Sequence, residues 1–276
     1  MGSCSQEAPP RGSCGFSPGG IPVASSSEAC RSGARLNDEF YTAEDPRRGR
    51  KTDERGDILI GRPHPQAITA ERPDEGDEAA LVEWLTTIVR GAPSLMRVLL
   101  AIRALDLPDW LIMSGAVYQR VLNALTKRPP DYGVRDYDVG YFDASDISYE
   151  AEDGVIRRVA GAFDEPLRSA VEVRNQARVH VWFEGHFGEP YTPLSCTAEA
   201  LERFLSPMFA VGVRLKPDDR LHIAAPFGLT DLFTLRLRPN PCRLSANFSR
   251  IAVGVACRWP EVRVEGAIIE RCTGAT

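Results

Sequence analysis

Asp136 and Asp138 lie two residues apart in VRDYDVGYFDAS, the stretch from Val134 to Ser145. Read as a strand, this stretch puts Tyr137, Val139 and Tyr141 on one face and both carboxylates on the other. Adjacent anions repel, and Asp is a poor strand former. A bound cation relieves the repulsion. Carboxylate oxygens suit a hard ion such as Mg²⁺, which completes its shell with water and substrate phosphate. Upstream, Trp110 to Met113 reads as a short buried strand, Ser114-Gly115 as a turn and Ala116 to Leu125 as a helix. The start of a helix offers unpaired N–H groups and a partial positive charge to a phosphate. Gly115 lets the backbone approach closely. A phosphate cradle beside metal-binding carboxylates is the minimum set for phosphoryl or nucleotidyl transfer. Each feature has a plainer reading by itself: a turn that only ends a strand, or acids on a solvated strand edge. Their order along the chain favours the chemical one.

A second acidic position comes from SAVEVRNQARVHVWF, which reads as one strand. Val171, Val173, Ala177, Val179 and Val181 then share a face. Glu172, Arg174, Gln176, Arg178 and His180 share the other. If Glu172 faces the metals, Arg174 and Arg178 lie along the same floor, where guanidiniums neutralise a triphosphate or the leaving pyrophosphate. The alternative is the solvated face of an edge strand. Asn175 falls on the apolar side, where burial requires it to bond backbone, a structural role. His180, His186 and His222 have no zinc-ligand spacing. Thr230 or Asp231 reads as a helix N-cap. Glu184 and Glu189 read as surface loop charges. No nucleophile stands in a recognisable elbow.

The elements that must position these residues begin near Asp77. Leu81, Trp84, Leu85 and Ile88 recur at helical spacing until Gly91 and Pro93. SLMRVLLAIRALDLPDW reads as a second helix, stopped by Leu107-Pro108. After the Asp136 strand come a helix around DGVIRRVAGAF, the Glu172 strand, a helical TAEALERFLS and strands FAVGVRL and RLHIAAP. LTDLFTLRL and ANFSRIAVGVACRWP read as helices. Loose alternation of the two kinds predicts α/β or α+β with a mixed sheet.

Residues 1–75, rich in Ser, Gly, Pro and Arg, show no apolar period and read as a disordered leader. Residues 76–265 form the domain and 266–276 a tail. The basic PRRGRK lies among acids and reads as a solvated mixed-charge segment. Formal net charge is -5, so there is no strong nucleic-acid signal. No run of eighteen apolar residues predicts a membrane span and no secretory signal is visible. MGSCSQ has Gln6 where a myristoylation motif wants Ser or Thr. Seven scattered cysteines without a CxxC pair read as reduced thiols of a cytoplasmic protein.

The blocks LPDWLIMSGAVYQRVLNALT, VRDYDVGYFD, VEVRNQARVHVWFE, AVGVRL, IAAPFGLTDLF, RPNP and RWPEVRV carry a further signal. In this order the chain resembles a small bacterial family of nucleotidyltransferase-like proteins in the polymerase-β-like superfamily. The likeness runs from residue 77 to 265, and RNQARVH and APFGLTDLF are its most specific parts. The resemblance implies an α+β fold, a minimal palm whose mixed sheet is flanked by helices. It implies that a turn at Ser114 and Gly115 contacts nucleotide phosphates. It implies that Asp136, Asp138 and a third acid, Glu172, bind two divalent ions, Mg²⁺ or Mn²⁺. NTP is the implied substrate. The acceptor is open: a small molecule, a protein or RNA. Two departures stand out. Gly115-Ala116 replaces the usual Gly-Ser or Gly-Gly, and Tyr118-Gln119 stand where relatives tend to show Arg-Asn. Two readings follow: a metal-dependent nucleotidyltransferase, or a catalytically silent nucleotide-binding or interaction module with the same fold.

Overall fold

Leu81, Leu85, Ile88 and Val89 are the buried stripe of helix α1, Glu78–Arg90. Asp77 starts it by accepting a hydrogen bond from the Ala80 N–H at 3.1 Å. Pro93 occupies the first turn of α2, Pro93–Ala104, where its missing N–H costs no helical bond. The chain bends by 91° between the two. Their apolar stripes cover a sheet rather than continuing as one rod. The computed structural model describes residues 76–266. The expected leader over 1–75, and the tail beyond residue 266, lie outside the described residues. Among those described, no single helix is long and apolar enough to cross a membrane.

Five strands form the sheet: β1 Leu111–Met113, β2 Tyr137–Tyr141, β3 Val171–Asn175, β4 Gly212–Leu215 and β5 Leu221–Ala224. Their spatial order is β3-β2-β1-β4-β5. Only β2 and β3 run parallel; the other pairs are antiparallel. A parallel pair needs a crossover, here made by α4, Tyr149–Ala160, and α5, Leu167–Ala170. Helix α3, Gly115–Leu125, follows β1. Later come α6 Val179–Phe187, α7 Thr230–Phe233 and α8 Phe248–Arg258. A small parallel pair, β6 Arg236–Leu237 and β7 Arg263–Val264, flanks α8. The class is α+β, with a mixed five-stranded sheet flanked by helices.

Register assigns the sheet faces. Glu172, Asp138, Met113, Gly212 and Ala224 form one row across all five strands. The next row, Val173, Val139, Ile112, Val213 and Ile223, points the other way and contributes four fully or almost fully buried members, Val173, Val139, Ile112 and Val213, to the core. Helix α3 is tied to that apolar face. The buried Arg120 donates to the Tyr137 hydroxyl at 3.1 Å and to Asp131 at 2.6 Å.

The chain departs from expectation after Asn175. The predicted long strand stops there, gives way to a 3-10 turn over Gln176–Arg178, and continues as α6. The cause is Asn175 itself, buried and fully engaged. Its Oδ1 accepts from the Ala177 N–H at 3.1 Å and the Asp143 N–H at 3.0 Å, and its Nδ2 donates to the Asp143 carbonyl at 2.8 Å. Its backbone N–H donates to Glu152 at 2.8 Å. This grip turns the chain out of the sheet and confirms a structural Asn175. Val179 and Phe183 are then buried at helical spacing.

Other elements shorten. TAEALERFLS contains a 3-10 stretch, Thr197–Arg203, and α7 ends at Phe233 before β6. Asp231 does not cap α7. It is buried and pairs with Arg238 at 2.7 Å and Arg236 at 3.7 Å. Glu189, expected to be a loose surface charge, holds Arg243 at 2.9 Å.

Candidate active site

Met113 is the Cα partner of Asp138, and Ser114 follows it at once. The turn therefore sits at the same end of the sheet as the carboxylates. Ser114 has φ 50° and ψ -114°, a backbone conformation that L residues rarely adopt. Its N–H donates to the Val211 carbonyl at 2.8 Å, and its carbonyl accepts from Val117 and Tyr118 at 2.8 and 2.9 Å. Its side chain makes no capping bond to α3. The first turn of α3 is thus uncapped by side chains, the condition under which a helix start receives an anion.

Asp138 is 6% exposed, and Asp136, just before β2, is half-buried. Glu172 is the Cα partner of Asp138 on the parallel strand β3 and shares its face. Burial pushes the Asp138 carboxyl well above the usual carboxylate range, and the charges of Asp136 and Glu172 push it further. Arg174, two residues beyond Glu172, pulls it back. Its Nη1 donates to the Val173 carbonyl at 3.0 Å, which fixes the guanidinium near the strand.

Among the described residues, no three His, Cys, Asp or Glu side chains already form a metal cage. The donor set nevertheless fits a hard divalent ion. Asp136, Asp138 and Glu172 are oxygen donors, and the charges of Asp136 and Glu172 add to the rise at the buried Asp138. Asp143 offers a poorer fourth acid. It lies past the end of β2 and accepts from the Ser145 N–H at 2.9 Å and hydroxyl at 2.5 Å, which hold its carboxyl below the usual range.

Ser114, Gly115, Asp136 and Asp138 thus lie at one end of the sheet, Glu172 shares the face of Asp138, and Arg174 follows on that face one pleat further along. Arg178 is not with them. The strand alternation that would align it ends at Asn175, and Arg178 instead forms an ion pair with the buried Glu152. It also donates to the Ile147 carbonyl at 3.2 Å and lies over the Tyr149 ring, 5.9 Å away.

Sequence reasoning missed three contributors. Tyr118 is buried against Phe209, ring centroids 4.8 Å apart. Burial raises its hydroxyl to about 12; Arg258 pulls it down, while Asp136 and Asp138 add to the rise. Arg258, at the end of α8, therefore belongs to the same electrostatic neighbourhood. The block RWPEVRV, which begins at Arg258, entered the resemblance without any role for the residue, because its contacts span most of the domain. Gly140 is the third. A Cβ there would lie 2.6 Å from Met113 Cε, 3.0 Å from Thr197 Cγ2 and 3.2 Å from Gln176 Nε2. Glycine two residues beyond Asp138 was the available clue, since glycine inside a strand marks close approach.

A family model described as Nucleotidyltransferase matches residues 100–264, more than half of the chain. No curated protein matches it. Among solved structures, an NMR structure described as revealing a CCA-adding enzyme head domain is similar, with a TM-score of 0.51 and 24% identity over 65% of this chain and 95% of that one. That likeness concerns the fold. The family model covers most of the described domain: the chain belongs to the nucleotidyltransferase family.

Proposed function

We propose that this protein transfers a nucleoside monophosphate from an NTP to an acceptor hydroxyl and releases pyrophosphate. The observation that carries the reading is the buried Asp138 facing Glu172 across the strand pair with Asp136 beside it. Such a cluster is costly without a cation. Asp136, Asp138 and Glu172 would hold Mg²⁺ or Mn²⁺. Ions held there would lower the acceptor hydroxyl's pKa and neutralise the triphosphate.

The chain's own part is positioning. The Ser114-Gly115 turn and the start of α3 receive phosphate oxygens. Arg174 pairs with another. A bond forms from the acceptor oxygen to the α-phosphorus as the bond to the β-phosphate oxygen breaks. The hydroxyl proton goes to a site carboxylate or to water, and pyrophosphate leaves. The CCA-adding description of the fold neighbour makes RNA the first acceptor to try, ahead of small molecules and proteins.

The buried start of α3 favours a second reading. Ala116, Tyr118 and Gln119 are all at most 3% exposed, so they present little polar surface to a phosphate. A silent nucleotide-binding module would keep the site without turnover. Thermal shifts with Mg²⁺ and each NTP, together with a pyrophosphate-release assay over acceptors, separate the readings. The transferase reading expects a metal-dependent NTP shift and pyrophosphate release, both lost in Asp136→Asn, Asp138→Asn and Glu172→Gln and kept in Asp143→Asn. A shift without release supports the silent module. No metal-dependent shift overturns the shared nucleotide site.

A further inference from the structure

We propose that Arg258 is a substrate-binding residue that grips the phosphate chain of the nucleotide from the end of α8. The inference rests on the nucleotide reading above and adds to it a residue that sequence patterns do not reveal.

The guanidinium is held in place by a built support. It stacks over the Trp259 ring at 4.8 Å, and its Nη1 donates to the Gly133 carbonyl at 3.3 Å. Trp259 is fully buried and is fixed in turn, its Nε1 donating to Asn123 at 2.9 Å. Asn123 donates to the carbonyls of Pro130 and Tyr132 at 3.0 and 2.8 Å. Gly133 has φ 76°, and a Cβ there would lie 3.2 Å from Trp259 and 3.3 Å from Arg258 Nη1. The segment that leads into β2 is therefore shaped around Arg258 and Trp259. Such rigidity is what precise phosphate recognition needs.

The support leaves one arm of the guanidinium unused. Arg258 Nη2 is buried and has no hydrogen-bond partner, although buried donors are almost always satisfied. A second buried polar atom, at the start of α3, is also unsatisfied: Gln119 Oε1, on a side chain 3% exposed whose Nε2 donates to the Tyr118 hydroxyl at 3.4 Å. Arg258 as a whole remains half-buried while Nη2 itself is covered, so a ligand engages that arm by displacing the side chains over it.

Its position selects the ligand. Arg258 bonds the Gly133 carbonyl, three residues before Asp136, so it packs on the segment that leads to the carboxylate heading β2. Arg178 is committed to Glu152, so Arg258 adds to Arg174 a second guanidinium for the phosphate chain. A planar guanidinium with a free N–H matches phosphate oxygens geometrically. Its burial lowers its own pKa from the usual arginine value, a cost that an arriving polyanion offsets.

The test is calorimetric titration of the full chain with Mg²⁺ and ATP, CTP, GTP or UTP. The tightest of these is then compared with its monophosphate, its nucleoside and inorganic tripolyphosphate. Arg258→Met keeps an apolar stem on Trp259. It is expected to weaken NTP and tripolyphosphate at least tenfold and to leave nucleoside affinity unchanged. Arg258→Lys should recover part of the loss. NTP affinity unchanged in Arg258→Met overturns the proposal, as does an equal loss for nucleoside and NTP, which indicates a purely structural role. If circular dichroism shows Arg258→Met unfolded, Arg258→Lys decides: a severalfold loss for tripolyphosphate supports the grip, and none overturns it. Arg258-dependent binding without pyrophosphate release overturns only the transferase reading. Release that ignores Arg258→Met overturns only this one, and a wild type that binds no NTP overturns both.

Discussion

Asp138 and Glu172 are Cα partners across the parallel pair β2–β3. The sheet therefore sets two acids side by side on one face, and a third, Asp136, precedes them by one pleat. The raised pKa of Asp138 gives this arrangement a pH signature. In the unfolded chain Asp138 titrates in the ordinary carboxylate range; in the folded protein it holds its proton to higher pH. Its stabilising contribution is fully present below the ordinary range and is lost as pH rises through the folded value. Without divalent ions, denaturant unfolding should show wild-type stability falling over that window. Asp138→Asn should remove the fall and be more stable at neutral pH by about 1–3 kcal/mol, the scale of an unsatisfied buried polar group. A flat wild-type profile would contradict the buried anionic cluster.

Ser114 is strained where glycine would not be, at φ 50° and ψ -114°. Releasing strain of this kind is worth about 1–3 kcal/mol, less roughly 0.5–1 kcal/mol for glycine's extra unfolded freedom. Ser114→Gly is expected to raise unfolding free energy by about 1 kcal/mol in chemical denaturation. Ser114→Ala should not, since it keeps the Cβ.

Glu152 serves two masters: the Arg178 guanidinium and the Asn175 N–H. Glu152→Ala leaves a buried charge unpaired and should cost about 3–5 kcal/mol. Arg178→Lys should lower the thermal midpoint while leaving NTP affinity within about twofold, because the residue supports the turn out of β3 rather than the substrate. A large affinity loss at unchanged stability would return Arg178 to the site.

Gly140 lies under Met113, Thr197 and Gln176 with no room for a methyl group. Met113 and Thr197 are themselves fully buried and cannot swing away. Gly140→Ala is expected to destabilise by about 1–3 kcal/mol, the usual range for overpacking. Equilibrium unfolding measures this directly, and a neutral effect would mean the covering 3-10 segment is loosely held.

Local pattern revealed most of what depends on local pattern. The apolar spacing of Leu81, Leu85 and Ile88 announced α1, and the alternation around Asp138 announced β2 together with the face its carboxylates take. Glu172 was reachable because it sits in a short strand whose alternation is real. Arg178 was misplaced because the same alternation was carried past Asn175, where the strand ends, to a residue three positions further on. Valines read as strand formers, and the signal that stops the strand is a side-chain grip between Asn175 and Asp143, residues 32 apart. Asp231 looked like a cap because caps are local, whereas its partners lie on the following strand and loop. Arg258 was illegible for the same reason at a larger scale. Its contacts with Gly133 and, through Trp259, with Asn123 exist only once the domain has closed.

That closure has a temporal side. Gly133 and Arg258 are 125 positions apart, and Asn123 and Trp259 are 136 apart. A polypeptide emerging from the ribosome can assemble β1, α3, β2 and β3 well before α8 exists. Until the last helix arrives, Asn123 lacks the indole that it accepts from, and the segment leading to Asp136 lacks its lid of Trp259 and Arg258. The carboxylate cluster is therefore finished last. A chain stalled or clipped before residue 258 would carry the sheet and all three acids but not the wall that encloses them. If Arg258 grips the nucleotide as proposed, competence is tied in this way to completion of the domain.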